Sequence, residues 1–367
     1  VGRRSESGTG RGFLRENRGR TLAQQGAGSI GATTRGRGAA ATPSLTPGAR
    51  AARMGHPCGG RDLSDKNANT YPIELTAPDI SPYRQGNTGI DYVHTFDSGR
   101  PGPHVMVCAL THGNEICGAI AVDFLFRHGV RPPQGKLTLA FVNPEAHARW
   151  DPTNPNASRF VEEDINRVWT EDQLDGPRDT ADLRRARTLR PLFHEIDYLL
   201  DLHSMGTRHE PVTLCYGLQK ERDLARKVGY PAAIACGPVF APGRRIIEYA
   251  PFNDTSNGHA ALLVECGQHW EKSAGDVALD TALYFLKALD IVDDDFAQQH
   301  LTVKQPPRQR MMDVTDGIAA ETDAFRFAEN FIGFEHFPKA GAQPMSQPVP
   351  SVCSGTPRRR RSRAASS

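Results

Sequence analysis

The sequence predicts an α/β protein: a mixed, largely parallel central sheet flanked by helices. Short apolar runs rich in β-branched residues alternate with helical patterns, and each run gives way to a cluster of polar side chains. No repeat of 20–50 residues is visible, which argues against a solenoid or propeller.

The first run, residues 104–110 (HVMVCAL), leads into Thr111-His112-Gly113-Asn114-Glu115. Residues 118–126 then have the apolar spacing of a helix, stopped at Gly129. The run 137–142 ends at Asn143-Pro144. Residues 181–195 form a long charged helical pattern, and 196–202 (IDYLLDL) is a third strand that delivers His203-Ser204. A fourth, 260–264, delivers Glu265-Cys266-Gly267. The helix expected over 274–289 turns Leu279, Ala282, Leu283, Phe285, Leu286 and Leu289 inward. In parallel sheets ligands gather at the carboxyl ends of strands, where His112, Glu115, His203 and Glu265 all fall.

Composition divides the chain. Residues 1–53 hold 10 Arg against 2 acids, and 340–367 hold 5 Arg and no acid. The intervening 54–339 carry 29 basic and 40 acidic side chains, so the formal charge of +2 conceals an acidic body. That disfavours a nucleic-acid-binding core. The Gly- and Arg-rich 1–53 reads as a disordered tail rather than a transit peptide, with Met54 marking the return to ordinary composition. A catalytic domain is expected over 54–300, a partial C-terminal β segment over 301–340 and a basic disordered tail over 341–367. No apolar run approaches the roughly 18 residues that span a bilayer, and no secretory signal opens the chain, so a cytoplasmic location is expected. Seven Cys without any Cys-x-x-Cys fit reduced thiols better than a disulfide framework.

In a chain with 13 His, one His-x-x-Glu pair means little alone. His112, Glu115 and His203 together supply a His₂Glu set on the ends of different strands, the donor set of a catalytic zinc site, and Gly113 lets the backbone bend between the first two. Asp201 is placed to support His203, although strand alternation fits the opposite face equally well. Glu265, emerging from an apolar strand, suits a general base; a surface Glu at a strand end is the equal alternative. The segment 159–167 (RFVEEDINR) adds Arg159, Asn166 and Arg167, groups that bind carboxylates or stabilise oxyanions. A loop salt-bridged through Glu162, Glu163 and Asp164 is the commoner fate of such sequence.

These blocks, His112-Gly113-Asn114-Glu115, Asn143-Pro144, Arg159 through Asp164-Ile165-Asn166-Arg167, Asp201-Leu202-His203-Ser204 and Glu265-Cys266-Gly267, occur in an order and spacing that resembles the succinylglutamate desuccinylase and aspartoacylase family. This family is a branch of the zinc carboxypeptidase superfamily. The resemblance covers residues 102–289. It implies a zinc carboxypeptidase-like fold with one Zn²⁺ per chain on His112, Glu115 and His203. It further implies Glu265 as general base, Arg159 polarising the scissile carbonyl, and Asn166 with Arg167 holding a substrate carboxylate. The implied activity is hydrolysis of the amide, or ester, bond of a small N-acyl amino acid bearing a free carboxylate. Two departures stand out. The aspartoacylase branch has a further substrate-binding Arg about ten residues before its catalytic Glu, where residues 252–261 here contain none; Arg244 and Arg245 are the nearest substitutes. The C-terminal β region begins near 325–338 and dissolves into the polar tail.

Most other histidines are expected to be structural, with His209 and His269 the best candidates for contacts to the site. Cys108 and Cys117 fit buried apolar positions, and Trp150, Trp169 and Trp270 fit core packing as well as a pocket wall. Two other functions share these residues: a metallocarboxypeptidase acting on short peptides, which needs a longer groove, and a non-catalytic metal- or anion-binding protein, which does not need Glu265.

Overall fold

The computed structural model describes residues 71–238, 242–317 and 333–335. The tails 1–53 and 341–367, and nearly all of the segment 325–338, lie outside the described residues. In chain order the strands are β1 (Val93–Asp97), β2 (His104–Ala109), β3 (Lys136–Phe141), β4 (Tyr198–Met205), β5 (Val212–Cys215), β6 (Ala233–Cys236), β7 (Ala260–Gln268) and β8 (Arg310–Asp313). The helices are α1 (Ile116–Arg127), α2 (Pro144–His147), α3 (Glu171–Leu174), α4 (Ala181–Phe193), α5 (Gln219–Val228), α6 (Lys272–Ala288) and α7 (Asp294–His300).

The strands form one sheet in the order β1-β3-β2-β4-β7-β5-β6-β8. Pairing is parallel throughout except for β1 on β3 and β5 on β7. The mixed, largely parallel α/β architecture therefore agrees with the sequence. Both faces are covered, and strand alternation decides which residue goes where. Val105, Val107 and Ala109 of β2 pack with α1, α5, α6 and α7 on one face, while Met106 and Cys108 join α4, Trp169, Tyr249 and Phe252 on the other. The same alternation puts Leu200 and Leu202 of β4 on the first face and Leu199 on the second. Asp201 and His203 share the side of Leu199, and Glu265 shares that of Ala261 and Leu263.

Helix α1 lies close to the sheet because Gly118 faces it: a Cβ there would come within 2.8 Å of the Leu202 Cβ and 2.9 Å of the Ala109 Cβ. Helix α4 starts where the Thr180 side chain accepts a hydrogen bond from the Leu183 amide. In α6, Ala282, Leu283, Phe285 and Leu286, with Leu289 just beyond, are buried as expected; Leu279, at the margin of that stripe, is half-buried.

Two expected boundaries move for a common reason. Strands β4 and β7 run through the polar residues His203 and Glu265 instead of stopping before them, because the two chains stay in register and continue their ladder there. Helix α1 begins at Ile116, directly after Glu115, earlier than apolar spacing alone indicates. Of the expected segment 301–340, the described part contributes one strand, β8, which extends the main sheet beside β6.

Candidate metal centre and substrate pocket

Three parallel strands deliver the site. Chain leaving β2 passes Leu110 at φ 55°, a left-handed conformation uncommon for a residue with a branched side chain, and swings His112 back over the sheet end. Gly113 allows this turn: a Cβ there would lie 2.4 Å from the His147 nitrogen and 2.4 Å from the Ser158 oxygen, both backbone atoms. Glu115 occupies the position just before α1 but does not cap it; its carboxylate faces the histidines. From β4 comes His203, and its ladder partner on β7 is Glu265. Register alone thus sets the candidate base beside the candidate ligand.

His112, Glu115 and His203 are buried, and one side-chain donor from each lies within 4.8 Å of the others. The His112 Nδ1 is 2.7 Å from Glu115 Oε1, and the His203 Nδ1 is 2.8 Å from Glu115 Oε2. Each far nitrogen is held by another carboxylate: His112 Nε2 by Asp164 at 2.8 Å and His203 Nε2 by Asp201 at 2.8 Å. That arrangement fits a divalent cation. With Nε2–H donated outward, each Nδ1 lone pair is free to meet a cation beside the Glu115 carboxylate, and the two imidazoles with one carboxylate are the ligand set favoured by zinc. Asp201 is fixed in turn by the Thr111 hydroxyl, which donates to it at 2.8 Å.

The electrostatics of these side chains show the same bias. Burial opposes charge on His203, but Asp201 and Glu115 outweigh it and hold the ring well above the ordinary histidine range. For Glu115, burial is overcome by His112 and His203, which hold it well below the carboxylate range. Asp164 is likewise held low against its burial, by His112, then Arg159 and Arg167. Glu265 goes the other way. Burial, then the neighbouring Glu115, push it up to about 8, and its buried Oε2 has no hydrogen-bond partner among the described residues. A cation held by His112, Glu115 and His203 would favour the charged form of Glu265 and lower that value.

A cavity of about 440 Å³ opens over these groups. All seven residues singled out in the sequence line it: His112, Glu115, Arg159, Asn166, Arg167, His203 and Glu265. Arg159 donates to Glu115 at 3.1 Å and pairs with Asp164 at 3.4 Å. The other acids of its segment turn away, Glu163 to Arg178 at 2.8 Å and Glu162 to the Ala181 amide. Asn166 receives the Ile246 amide on its Oδ1 at 2.8 Å and directs Nδ2 towards His203. Arg167 donates to the Asn166 carbonyl at 2.7 Å and lines the cavity without an ion pair among the described residues; the nearest acid its charge acts on is Asp164.

Of the two candidate substitute arginines, Arg245 reaches the cavity and Arg244 does not line it. Arg245 is buried and bonded to Glu248 at 3.2 Å, with its Nε unpartnered among the described residues. His269 also lines the cavity; its Nδ1 meets the Ser204 hydroxyl at 2.8 Å, and burial pushes it down to about 4, so it is neutral at pH 7. His209 does not line it, and neither does Trp150, Trp169 or Trp270. His104 is structural, bonded to Thr138 at 2.7 Å. Sequence reading missed the grip of Asp164 on His112, because the 52 residues between them are joined only by the fold.

The sequence model of the succinylglutamate desuccinylase/aspartoacylase catalytic domain matches residues 101–290. A curated relative, "Probable aspartoacylase" of Parasynechococcus marenigrum, is 35% identical over 129 residues, which are 33% of this chain and 40% of that protein. The chain therefore spans well under half the length of that relative. Among solved structures, a succinylglutamate desuccinylase/aspartoacylase from Rhodobacter sphaeroides superposes with a TM-score of 0.46 at 20% identity, covering 65% of this chain and 69% of the other. A succinylglutamate desuccinylase from Vibrio cholerae gives 0.46 at 19% identity, covering 66% and 71%. The family match spans more than half of the chain and contains every residue of the candidate metal set, the candidate base Glu265 and the arginine segment, and on that basis the chain belongs to the succinylglutamate desuccinylase/aspartoacylase family.

Proposed function

We propose that the protein is a zinc-dependent deacylase that hydrolyses the amide, or ester, bond of a small N-acyl amino acid-like substrate with a free carboxylate. One observation carries the reading. The His112, Glu115 and His203 donors converge within 4.8 Å, and Glu265, the ladder partner of His203, keeps a carboxylate oxygen unpartnered among the described residues in the same cavity. Zn²⁺ held by His112, Glu115 and His203 would polarise the scissile carbonyl and bring the pKa of a water down towards about 7.

The remaining chemistry belongs to the chain. Glu265 takes the proton of the attacking water and returns it to the leaving amine, a task suited to a carboxylate whose surroundings already raise its proton affinity. Arg159, anchored between Glu115 and Asp164, presents its guanidinium to the oxygen on which charge develops. Arg167 and Asn166 hold the substrate carboxylate, Arg167 with a guanidinium that makes no ion pair among the described residues. Arg245, in the lining beside Asn166 and Arg167, offers a further cationic contact. A 440 Å³ cavity favours a small molecule over a peptide. The buried free cysteines suit a reducing cytoplasm, and among the described residues no helix is long and apolar enough to cross a membrane.

The test is a panel of N-acetyl and N-succinyl amino acids beside blocked dipeptides, run with the parent and Glu265→Gln. The parent is expected to hydrolyse at least one N-acyl amino acid in preference to the dipeptides. The variant should lose about 10²–10⁴-fold in kcat while keeping its zinc. Full turnover by the variant removes Glu265 as the base, and preference for dipeptides makes the protein a carboxypeptidase.

A further inference from the structure

Helix α4 touches no part of the cavity, yet its second residue holds the segment that lines it. Asp182 is fully buried and has no cationic side chain within ion-pair distance among the described residues. Four N–H groups surround its carboxylate instead. Oδ1 accepts from Asn143 Nδ2 at 2.7 Å and from the Val161 amide at 3.2 Å, and Oδ2 accepts from the Glu162 amide at 2.7 Å and the Glu163 amide at 3.0 Å. Three successive backbone amides converging on one carboxylate form an anion-binding nest, here filled from within the protein. The segment grips back: Glu163 accepts from the Thr180 hydroxyl at 2.5 Å, and Glu162 accepts from the Ala181 amide.

The clasped backbone lies between Arg159 and the group Asp164, Asn166 and Arg167. Its other anchor, Asn143, accepts from the Ala146 amide at 3.2 Å and so caps α2, whose His147 bonds the Gly113 carbonyl beside His112 at 2.9 Å. A buried charge is costly to place unless its hydrogen bonds are made, and here three of the four come from the backbone of the segment that carries the arginines. We propose that Asp182 is the positioning residue of the substrate-binding segment, acting through the backbone of residues 161–163 to set Arg159, Asn166 and Arg167 without touching substrate. The proposal rests on the reading of those three side chains as substrate contacts.

Asp182→Asn in the full zinc-loaded chain tests it, since the amide keeps the shape but sets a donor against backbone donors. Hydrogen exchange at amides 161–163 should speed up by about tenfold or more, the weight of one charge-assisted hydrogen bond. Amides of β2 and β4 should be unchanged, trypsin should cleave after Arg159 faster, and zinc content should stay at the parent level. On the best substrate of the panel, KM should rise more than kcat falls, because ground-state binding of the carboxylate is what loosens. Exchange that rises equally across the sheet, or a KM that stays at the parent value while the segment loosens, overturns the proposal. Should Asp182→Asn not fold, Glu163→Ala removes part of the same clasp from its half-buried side, and a segment as protected as in the parent then counts against it. If the parent hydrolyses nothing in the panel, the functional reading fails, and exchange and proteolysis alone decide whether Asp182 holds the segment.

Discussion

Each imidazole in the candidate metal set has its two nitrogens assigned by carboxylates: Glu115 between the two Nδ1 atoms, Asp164 and Asp201 on the two Nε2 atoms. Gly113 makes this possible, since the backbone of 146–147 and 158 packs against its α-carbon. Gly113→Ala should therefore cost about 1–3 kcal/mol by overpacking, with zinc affinity falling alongside it. Urea unfolding and a zinc competition titration would check this; a variant with parental stability and affinity would show that the turn has slack. The ligands themselves were legible in the sequence because each follows an apolar strand at a position where polarity is abrupt. The partners Asp164 and Asp182 were not, because their contacts join segments 52 and 39 residues away that only the folded sheet brings together.

The elements differ in how clearly the chain announces them. Strands β2, β3, β4 and β7 are apolar runs buried on both faces, and their central place in the sheet is what makes them readable. Strands β5, β6 and β8 are four residues each, too short for a period to emerge, and they form one wing of the sheet with α5. At the start of α5, the Glu221 carboxylate accepts from the Gly217 and Leu218 amides at 2.8 and 3.2 Å, while its other oxygen is buried without a partner among the described residues. Burial outweighs those bonds and pushes Glu221 up to about 7. The folded protein thus holds this proton more tightly than the unfolded chain, so Glu221 favours the fold at low pH. Its contribution is lost as pH rises from the ordinary glutamate value to about 7, roughly 3 kcal/mol in all. Glu221→Gln should flatten that part of the stability profile. Urea midpoints of parent and variant at pH 5 and pH 8 give the comparison, and an equal drop in both would assign the slope to other groups.

Across the whole molecule, function depends on strand order. Strands β2, β4 and β7 are adjacent and parallel, so their carboxyl ends bring residues 112, 203 and 265 together although more than 150 positions separate the first from the last. The antiparallel β5 lies beside β7, and the antiparallel β1 lies beyond β3 on the other side. Parallel strands alternating with helices were readable from the sequence; the antiparallel additions were not, since direction is set by connections and not by composition. Every role assigned here depends on a cation seated between His112, Glu115 and His203. The most direct test is elemental mass spectrometry of the dialysed parent beside His203→Ala. About one zinc per chain in the parent and a small fraction of that in the variant is the expected result. Equal metal in both proteins, or none in either after incubation with zinc, would contradict the account.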